Sequence, residues 1–326
     1  MDMNTNTNTN TNTNTNTNTN TKKEIIKHIV ISGGGTVIFK SLGALQELEK
    51  NNFWKIENIK SIYGTSSGAI MGVLLCLKYS NWEIINDYLI KRPWHDVFKL
   101  NLDNLIDSYT NRRLFDNNAF ITIFKPLFDV KDLSINITLK EFYEHTNIEL
   151  HLFSFELNNF ETVDISYLTH PDLQLMTAVQ MSAALPMIIS PVIIDNKCYI
   201  DGGVIVNYPL SYCIDKYKNI EEILALKNSY VEIEAPNSEL NCKNNNVTNN
   251  SSIIDYGLNL LSKFILYHNT EDKQEKIKNE IVYNVKSMNV NNLNEALYNS
   301  NIRKSLFEEG IKAASDFLYR EKNSVL

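Results

Sequence analysis

Two strand–glycine–helix units lie near the beginning of this 326-residue sequence. The apolar run His28–Ser32 ends at three consecutive glycines, and leucines at helical spacing follow over residues 40–50. A second apolar run, Ile59–Tyr63, ends at another glycine-rich turn and leads into an apolar helical segment, Ser67–Leu77. Strands that alternate with helices in this way are typical of βαβ units in a parallel sheet. The pattern therefore predicts an α/β fold.

The remaining segments carry further signals of secondary structure. A capping box, Thr138-Leu-Lys-Glu141, predicts the start of a short helix, and Pro171 suits the first position of another. Residues 81–128 have a mostly helical pattern. Later strands are predicted at Glu149–Glu156, Glu161–Tyr167, Pro191–Ile194, Lys197–Ile200 and, as the last strand, Glu222–Leu226. Two late helices are predicted at Ile253–His268 and Ile302–Tyr319.

Composition divides the chain into four segments. Residues 4–21 alternate between Asn and Thr without an apolar side chain, so we expect residues 1–22 to form a disordered tail. Residues 236–252 are rich in Asn and Ser, which is typical of a loop or linker. The main domain is then expected over residues 23–235, and a helical extension that packs on its core over residues 253–326.

Charge and composition exclude several classes of protein. The net charge of −7 and the lack of a Lys/Arg block argue against nucleic-acid binding. Neither the four cysteines nor the six histidines have metal-ligand spacing, so no metal is expected. No signal peptide is recognisable, and apolar runs such as Ala69–Leu77 are too short to span a bilayer. We expect an intracellular protein, soluble or peripherally associated with membranes.

The glycine-rich turn after the second predicted strand fits a nucleophile elbow. Gly64-Thr65-Ser66-Ser67-Gly68 matches G-x-S-x-G, between an apolar strand and an apolar helix. The position of Ser66 at a helix N-terminus would favour a developing negative charge. Ser67 would serve as a backbone donor or helix cap. A purely structural turn remains the alternative.

The first glycine turn, Gly33-Gly34-Gly35-Thr36, presents backbone amides without side chains around them. Such amides can form an oxyanion hole, and a phosphate-binding or merely structural turn is the alternative. The turn fits neither G-x-G-x-x-G, because Ile38 stands at the last position, nor a Walker loop. We therefore favour the oxyanion hole.

A third glycine cluster, Asp201-Gly202-Gly203, has two interpretations. Asp-Gly between β-rich runs is typical of a hairpin turn. Since a serine elbow and an oxyanion loop precede it, Asp201 is also a candidate base for Ser66, provided that burial raises its pKa. A Ser-Asp-His triad would need His268, the only histidine after Asp201.

Together, the three motifs resemble the patatin-like phospholipase family. That family has a glycine-rich oxyanion loop, a G-x-S-x-G serine and a D-G-G or D-G-A aspartate in the same order. The resemblance extends to Ser182-Ala-Ala-Leu-Pro186, Pro191, Asn207 and Pro209, and it covers roughly residues 27–226.

The resemblance implies a three-layer α/β/α fold with a mainly parallel central sheet, and a catalytic domain over residues 23–235. It implies that Ser66 is the nucleophile and Asp201 the base of a Ser-Asp dyad. The implied oxyanion hole is formed by amides of Gly34, Gly35 and Thr36. The motif glycines that support these groups are Gly33, Gly64, Gly68, Gly202 and Gly203.

The implied reaction is acyl-ester hydrolysis of phospholipids or related lipids, through an acyl-enzyme and without metal or cofactor. One departure concerns the oxyanion loop, which in the family usually continues with a basic residue and then glycine. Val37 and Ile38 stand at those places here. Backbone donors survive this change, and only Lys40 could replace a basic side chain there. The resemblance therefore implies no particular head group.

Two alternatives to hydrolysis stay open: a weakly active or inactive lipid-binding protein on the same fold, and an enzyme that transfers the acyl group to an acceptor other than water. A separate question is membrane contact. The segment Ile253–Tyr267, with Tyr256, Phe264 and Tyr267, could lie on a bilayer surface, although packing on the core is the favoured interpretation. The acyl position cleaved, an activator and the oligomeric state leave no signal in the sequence.

Overall fold

The computed structural model describes residues 24–98, 115–230, 247–248, 253–268, 276–285 and 295–323. Within them, eight strands form one sheet. The strands are β1 (His28–Ile31), β2 (Ser61–Thr65), β3 (Glu149–Glu156), β4 (Glu161–Ile165), β5 (Val192–Ile194), β6 (Lys197–Asp201), β7 (Ile223–Tyr230) and β8 (Glu280–Val285). The helices used below are α1 (Ile38–Lys50), α2 (Ser67–Cys76), α3 (Trp82–Asn86), α4 (Asn117–Asp129), α5 (Leu139–Thr146), α6 (Leu175–Ala183), α7 (Leu210–Tyr217), α8 (Ile253–His268) and α9 (Ser300–Asn323).

The centre of the sheet is parallel, as predicted. Strands β3, β2, β1, β7 and β8 are neighbours in this order and pair in parallel. Every residue of β1 and β2 is buried, which is characteristic of parallel strands covered on both faces. The antiparallel strands β4, β5 and β6 lie at the β3 side of the sheet. The α/β fold with a mainly parallel sheet is confirmed.

Helices cover the sheet unequally. One face packs against α1, α2, α4, α6 and α9 and forms the main hydrophobic core. The other face carries a smaller cluster under α7, in which Val30, Tyr63 and Phe153 of the sheet meet Leu210 and Cys213. The two clusters give the molecule helices on both sides of one sheet.

Strands β2 and β6 meet end to end along one edge of β3. Strand β2 pairs with residues 149–153 of β3, and β6 pairs with residues 154–156. Strand β4 pairs with residues 152–156, overlaps both of them and must therefore occupy the opposite edge. Consequently Thr65, the last residue of β2, and Asp201, the last residue of β6, lie opposite adjacent residues of β3.

The C-terminal segment is part of the sheet and of the main core. Strand β8 pairs in parallel with β7, so Glu222–Leu226 does not mark the last strand, and the predicted helical extension also contains a strand. Helix α9 crosses α1 very closely: a Cβ atom on Gly310 would lie 1.9 Å from the Lys40 carbonyl oxygen. Likewise, a Cβ atom on Gly43 would lie 2.1 Å from the Phe307 carbonyl oxygen.

Several local predictions are confirmed. Thr138 and Glu141 form the capping box of α5. Asp195 and Asn196 join β5 to β6 with φ values of 50° and 62°, as a tight hairpin turn requires. Helix α8 has the predicted bounds, and α9 contains the predicted Ile302–Tyr319.

Other predictions need correction or lie outside the described residues. Pro171 does not begin a helix, because α6 starts at Leu175 and residues 171–173 form a turn. The Asn-Thr tail, residues 99–114 and all of the Asn-rich linker except residues 247–248 lie outside the described residues. The proposed division between a main domain and a C-terminal extension stays a prediction.

Helix α8 has a packed side and an exposed side. On the packed side Leu261 contacts the residues around Ile188 and around Val204, and a Cβ atom on Gly257 would lie 2.4 Å from the Met187 sulfur. On the other side four large side chains are 39–77% exposed: Tyr256, Leu260, Phe264 and Tyr267. In the described part of the chain, no helix combines the length and apolarity that a bilayer crossing requires.

Candidate active site

Ser66 occupies a sharp turn between β2 and α2. Its φ of 54° and ψ of −119° are strained for a residue with a side chain, as is typical of a nucleophile elbow. The turn depends on close backbone approach. A Cβ atom on Gly64 would lie 2.5 Å from the Gly68 carbonyl oxygen, and one on Gly68 would lie 2.3 Å from the Ile31 carbonyl oxygen. Larger residues at either position would push α2 away from the sheet.

The hydroxyl of Ser66 donates to the carboxylate of Asp201. The Oγ–Oδ2 distance is 2.6 Å, and the other carboxylate oxygen accepts the Gly203 amide at 2.7 Å. Because the C-terminal ends of β2 and β6 meet on β3, Ser66 and Asp201 are in contact although they are 135 positions apart in sequence. Asp201 is only 3% exposed.

Burial raises the pKa of Asp201 to about 6, although the hydrogen bonds from Ser66 and Gly203 act in the opposite direction. A carboxylate with this pKa is ionised at neutral pH and basic enough to accept a proton during a reaction. Among the described side chains, no histidine hydrogen-bonds to Ser66 or Asp201. The structure describes the backbone of His268, the residue of the alternative triad, but not its side chain.

The first glycine turn lies beside Ser66. A Cβ atom on Gly33 would lie 3.0 Å from the Cβ atom of Ser66. Gly34 and Gly35 have φ values of 158° and 56°, and a 3-10 turn, Gly35–Val37, leads into α1. The Gly33 amide donates to the Asn207 carbonyl, so it is not available to a ligand.

The amides of Gly34, Gly35 and Thr36 begin a helical turn and have no partner among the described backbone carbonyls. The geometry is thus compatible with the predicted donor set.

Three side chains without an assigned role in the sequence analysis hold this site together. Ser182 accepts the Ser66 amide at 3.0 Å and donates to the Phe153 carbonyl at 2.7 Å, which links the elbow to β3. Asn207 and Asn228 both donate to the Gly33 carbonyl. Ser182 and Asn207 belong to the stretches on which the resemblance rests, whereas Asn228 carries no sequence signal.

Lys40 does not replace the missing basic residue of the glycine loop. Its ammonium group pairs with Glu309 at 2.8 Å and donates to the Asn284 carbonyl at 3.2 Å. Both partners belong to the C-terminal segment, so Lys40 joins α1 to α9 and β8.

Within the described residues, no three His, Cys, Asp or Glu side chains are grouped so that they could hold a metal ion. The three cysteines described, Cys76, Cys198 and Cys213, are free thiols.

Comparison with known proteins agrees with the family resemblance found in the sequence. Residues 29–214 match the sequence model of the patatin-like phospholipase family. The chain is 32% identical over 200 residues to the probable lipid hydrolase 463L of Invertebrate iridescent virus 6, a match over 61% of this chain and 66% of the relative. It is 31% identical over 190 residues to the uncharacterized protein R571 of Acanthamoeba polyphaga mimivirus, over 57% of this chain and 61% of the relative.

The chain thus matches less than two thirds of the length of either viral relative. Among solved structures, VipD from Legionella pneumophila has a similar fold, with a TM-score of 0.50 at 15% identity. That similarity covers 91% of this chain and 67% of VipD. The family match includes the elbow, the glycine loop and Asp201, and it extends over more than half of the sequence. The chain belongs to the patatin-like phospholipase family.

Proposed function

We propose that this protein is a lipid acyl hydrolase of the phospholipase A type that works through a Ser66–Asp201 dyad. The observation that carries the proposal is the 2.6 Å hydrogen bond between the Ser66 hydroxyl and the buried Asp201 carboxylate. Family membership supports an acyl-lipid substrate, and so does the viral relative named as a probable lipid hydrolase.

In the first half of the proposed reaction, Ser66 Oγ attacks the carbonyl carbon of the acyl ester while Asp201 takes the hydroxyl proton. Negative charge develops on the carbonyl oxygen, where the amides of Gly34, Gly35 and Thr36 would stabilise it. One such donor is typically worth about 3 kcal/mol in the transition state. The tetrahedral intermediate then collapses, the ester C–O bond breaks, and Asp201 returns the proton to the departing alcohol.

In the second half, a water molecule attacks the acyl-enzyme. Asp201 accepts a proton from the water, and the oxyanion again lies against the same amides. Collapse breaks the bond between the acyl carbon and Ser66 Oγ, which recovers the proton. The products are a free fatty acid and a lysolipid or alcohol. This cycle uses only residues of this chain and water.

The strained backbone of Ser66 supports this assignment independently of the dyad. A φ of 54° is rare for a residue with a side chain and sets Ser66, which is half-buried, at the turn before α2, and the Ser66 amide is already occupied by Ser182. Ser66 directly precedes α2, and the first amides of a helix have no partner within the helix. The positive end of the helix dipole therefore lies near Ser66 Oγ.

A fluorophosphonate probe tests the nucleophile. The wild type should be labelled, and Ser66→Ala should not. Ser61→Ala is the matched control, because Ser61 begins the same strand and lies at its opposite end. Labelling that persists in Ser66→Ala would exclude Ser66 as the nucleophile.

Turnover of mixed phospholipid vesicles, analysed by mass spectrometry of the products, tests the reaction. Wild type should release fatty acid, while Ser66→Ala and Asp201→Asn should lose at least about 1,000-fold in kcat. Full activity of Asp201→Asn would contradict the dyad. Vesicle binding without any hydrolysis would favour an inactive lipid-binding protein, and acyl transfer to an added alcohol in preference to water would favour a transferase.

A further inference from the structure

The carbonyl group of Gly33 is held by two buried asparagine side chains. Asn228 Nδ2 lies 2.5 Å and Asn207 Nδ2 3.1 Å from the Gly33 oxygen. Both residues are at most 8% exposed. They come from separate parts of the chain, since Asn228 belongs to β7 and Asn207 follows the Asp201 turn.

This carbonyl shares a peptide unit with the Gly34 amide, the first donor of the proposed oxyanion hole. In a trans peptide the C=O and N–H groups point in opposite directions. Hydrogen bonds that hold the Gly33 oxygen on the asparagine side therefore direct the Gly34 N–H away from the asparagines. A flip of this peptide would turn a carbonyl oxygen, instead of a donor, toward the other side.

The two glycines that flank this peptide oppose such a flip only weakly. Gly33 and Gly34 flank the peptide, and Gly34 and Gly35 have φ values of 158° and 56°. Glycine moves between backbone conformations at little steric cost because it lacks a Cβ atom. A peptide between two glycines needs tertiary hydrogen bonds to keep one orientation.

Asn228 is itself firmly placed. Its backbone amide donates to the hydroxyl of Ser32 at 3.1 Å. Ser32 lies between β1, the parallel neighbour of β7, and the three glycines. Only Nδ2 of its side chain can donate to a carbonyl, which settles the orientation of the amide. The opposite atom, Oδ1, is buried and has no hydrogen-bond partner within the described structure. The side chain leaves an acceptor unsatisfied while it keeps its contact with Gly33, a cost that a purely space-filling residue would not carry.

We propose that Asn228 is a positioning residue: it fixes the Gly33–Gly34 peptide so that the Gly34 amide faces the oxyanion. Asn207 holds the same carbonyl from the Asp201 side. The proposal rests on the proposed function, since an oxyanion forms only if Ser66 attacks an ester.

The test uses Asn228→Ala, with a soluble short-chain ester as substrate. We expect kcat to fall at least about tenfold, toward the ~100-fold loss typical of one missing oxyanion donor, while KM changes less than about threefold. Asn279→Ala is the matched control. Asn279 is 5% exposed and its Nδ2 donates to the Glu221 carbonyl at 2.8 Å, in the turn before β7 and away from the glycine loop. This control should lower Tm and leave kcat unchanged.

Asn228→Ser, which is too short to reach the Gly33 carbonyl, should lose kcat in the same way and serves if Asn228→Ala does not fold. Wild-type kcat in a folded Asn228 variant, with activity still dependent on Ser66, overturns the role of Asn228 and leaves the proposed function intact.

If wild type has no Ser66-dependent turnover, the proposed function fails. Crystal structures of wild type and Asn228→Ala then test the positioning role of Asn228 separately. A flipped or doubly oriented Gly33–Gly34 peptide in the variant supports the positioning role. An unchanged peptide overturns it.

Discussion

At the level of single residues, Asp201 has opposing effects on activity and stability. The proposed reaction needs its carboxylate ionised, yet burial raises its pKa to about 6. Taken alone, the sequence around Asp201 is typical of a hairpin turn, and only the two other motifs favoured a catalytic base. Its 2.6 Å contact with Ser66 and its burial make the base the better interpretation.

The first prediction is a pH profile. Since Asp201 must be ionised to accept the Ser66 proton, kcat/KM for a soluble ester should rise with pH, with a midpoint near 6, and level off above it. The measurement is a series of initial rates between about pH 4.5 and 8, with the fold checked by circular dichroism at each pH. A flat profile across this range would argue against an Asp201 base.

The second prediction is that Asp201→Asn stabilises the protein while it abolishes activity. The folded-state pKa is raised, so the contribution of Asp201 to stability is complete below about pH 4 and is lost as the pH rises through about 6. The ionised side chain then costs of the order of 3 kcal/mol, and a neutral amide avoids this cost.

Urea unfolding at about pH 8 and about pH 4.5 measures this difference. Asp201→Asn should gain stability at the higher pH and little at the lower one. Asp172→Asn, which changes an exposed carboxylate, is the control and should show neither effect. Equal stability of Asp201→Asn and wild type at both pH values would show that the buried charge costs nothing.

At the level of secondary-structure elements, α1 connects the glycine loop to the C-terminal segment. The helix begins at Ile38, directly after the 3-10 turn, and its other face packs against α9. The close crossing at Gly43 and Gly310 and the ion pair between Lys40 and Glu309 fix this contact. Helix α9 therefore supports the helix that directly follows the proposed oxyanion donors.

The third prediction concerns this crossing. Alanine favours an isolated helix over glycine by about 1 kcal/mol, yet Gly310→Ala should destabilise the protein by about 2 kcal/mol or more. The added Cβ atom would lie 1.9 Å from the Lys40 carbonyl oxygen, and backbone atoms cannot move aside easily. Thermal unfolding measures the effect. Ser305→Ala, at an exposed position of the same helix, should be neutral or slightly stabilising. A more stable Gly310→Ala protein would disprove the close contact.

The fourth prediction concerns α8. We propose that its exposed side chains contact the lipid surface, because its packed side covers the turn after Asp201. Leu260→Glu with Phe264→Glu should weaken binding to phospholipid vesicles at least about tenfold and leave turnover of a soluble ester unchanged. Val130→Glu is the control, since Val130 is 69% exposed at the end of α4. Sedimentation with vesicles is the measurement, and unchanged binding of the double variant would refute the contact.

At the level of the whole molecule, residues far beyond the family match complete the fold. Strand β8 adds to β7, and α9 buries Arg303, Ala314 and Phe317 against the main core. The Arg303 guanidinium donates to the carbonyls of Ile90 and Arg92, so α9 also holds the segment after α3.

The fifth prediction follows from this arrangement. A chain that ends at residue 275 should not fold, because it lacks β8 and α9 and would expose the face of α1 that packs against α9. Size-exclusion chromatography and circular dichroism would detect aggregation or loss of structure. A monomeric truncated chain that is still labelled at Ser66 would show that residues 276–326 form a dispensable extension.

Predictions from the sequence were accurate where the structure depends on neighbouring residues and failed where it depends on residues far apart in the chain. The elbow, the capping box of α5 and the turn at Asp195-Asn196 depend on neighbouring residues, and each was predicted at the correct position. Strand β8 was missed because Glu280–Val285 becomes a strand by pairing with β7, which lies far away in sequence. Pro171 was placed in a helix that begins four residues later, since local propensity gives boundaries poorly.

The sequence by itself determined which residues have the chemistry for this site: a serine on a glycine turn, an aspartate before two glycines and a run of side-chain-free amides. Local turn chemistry and the order of the motifs are encoded in neighbouring residues, and so is membership of the family. Only the tertiary structure decided that β2 and β6 meet on β3, and that Asn228 and Ser182 hold the glycine loop and the elbow. Contacts between residues so distant in the chain arise from strand pairing and burial, which no local pattern records.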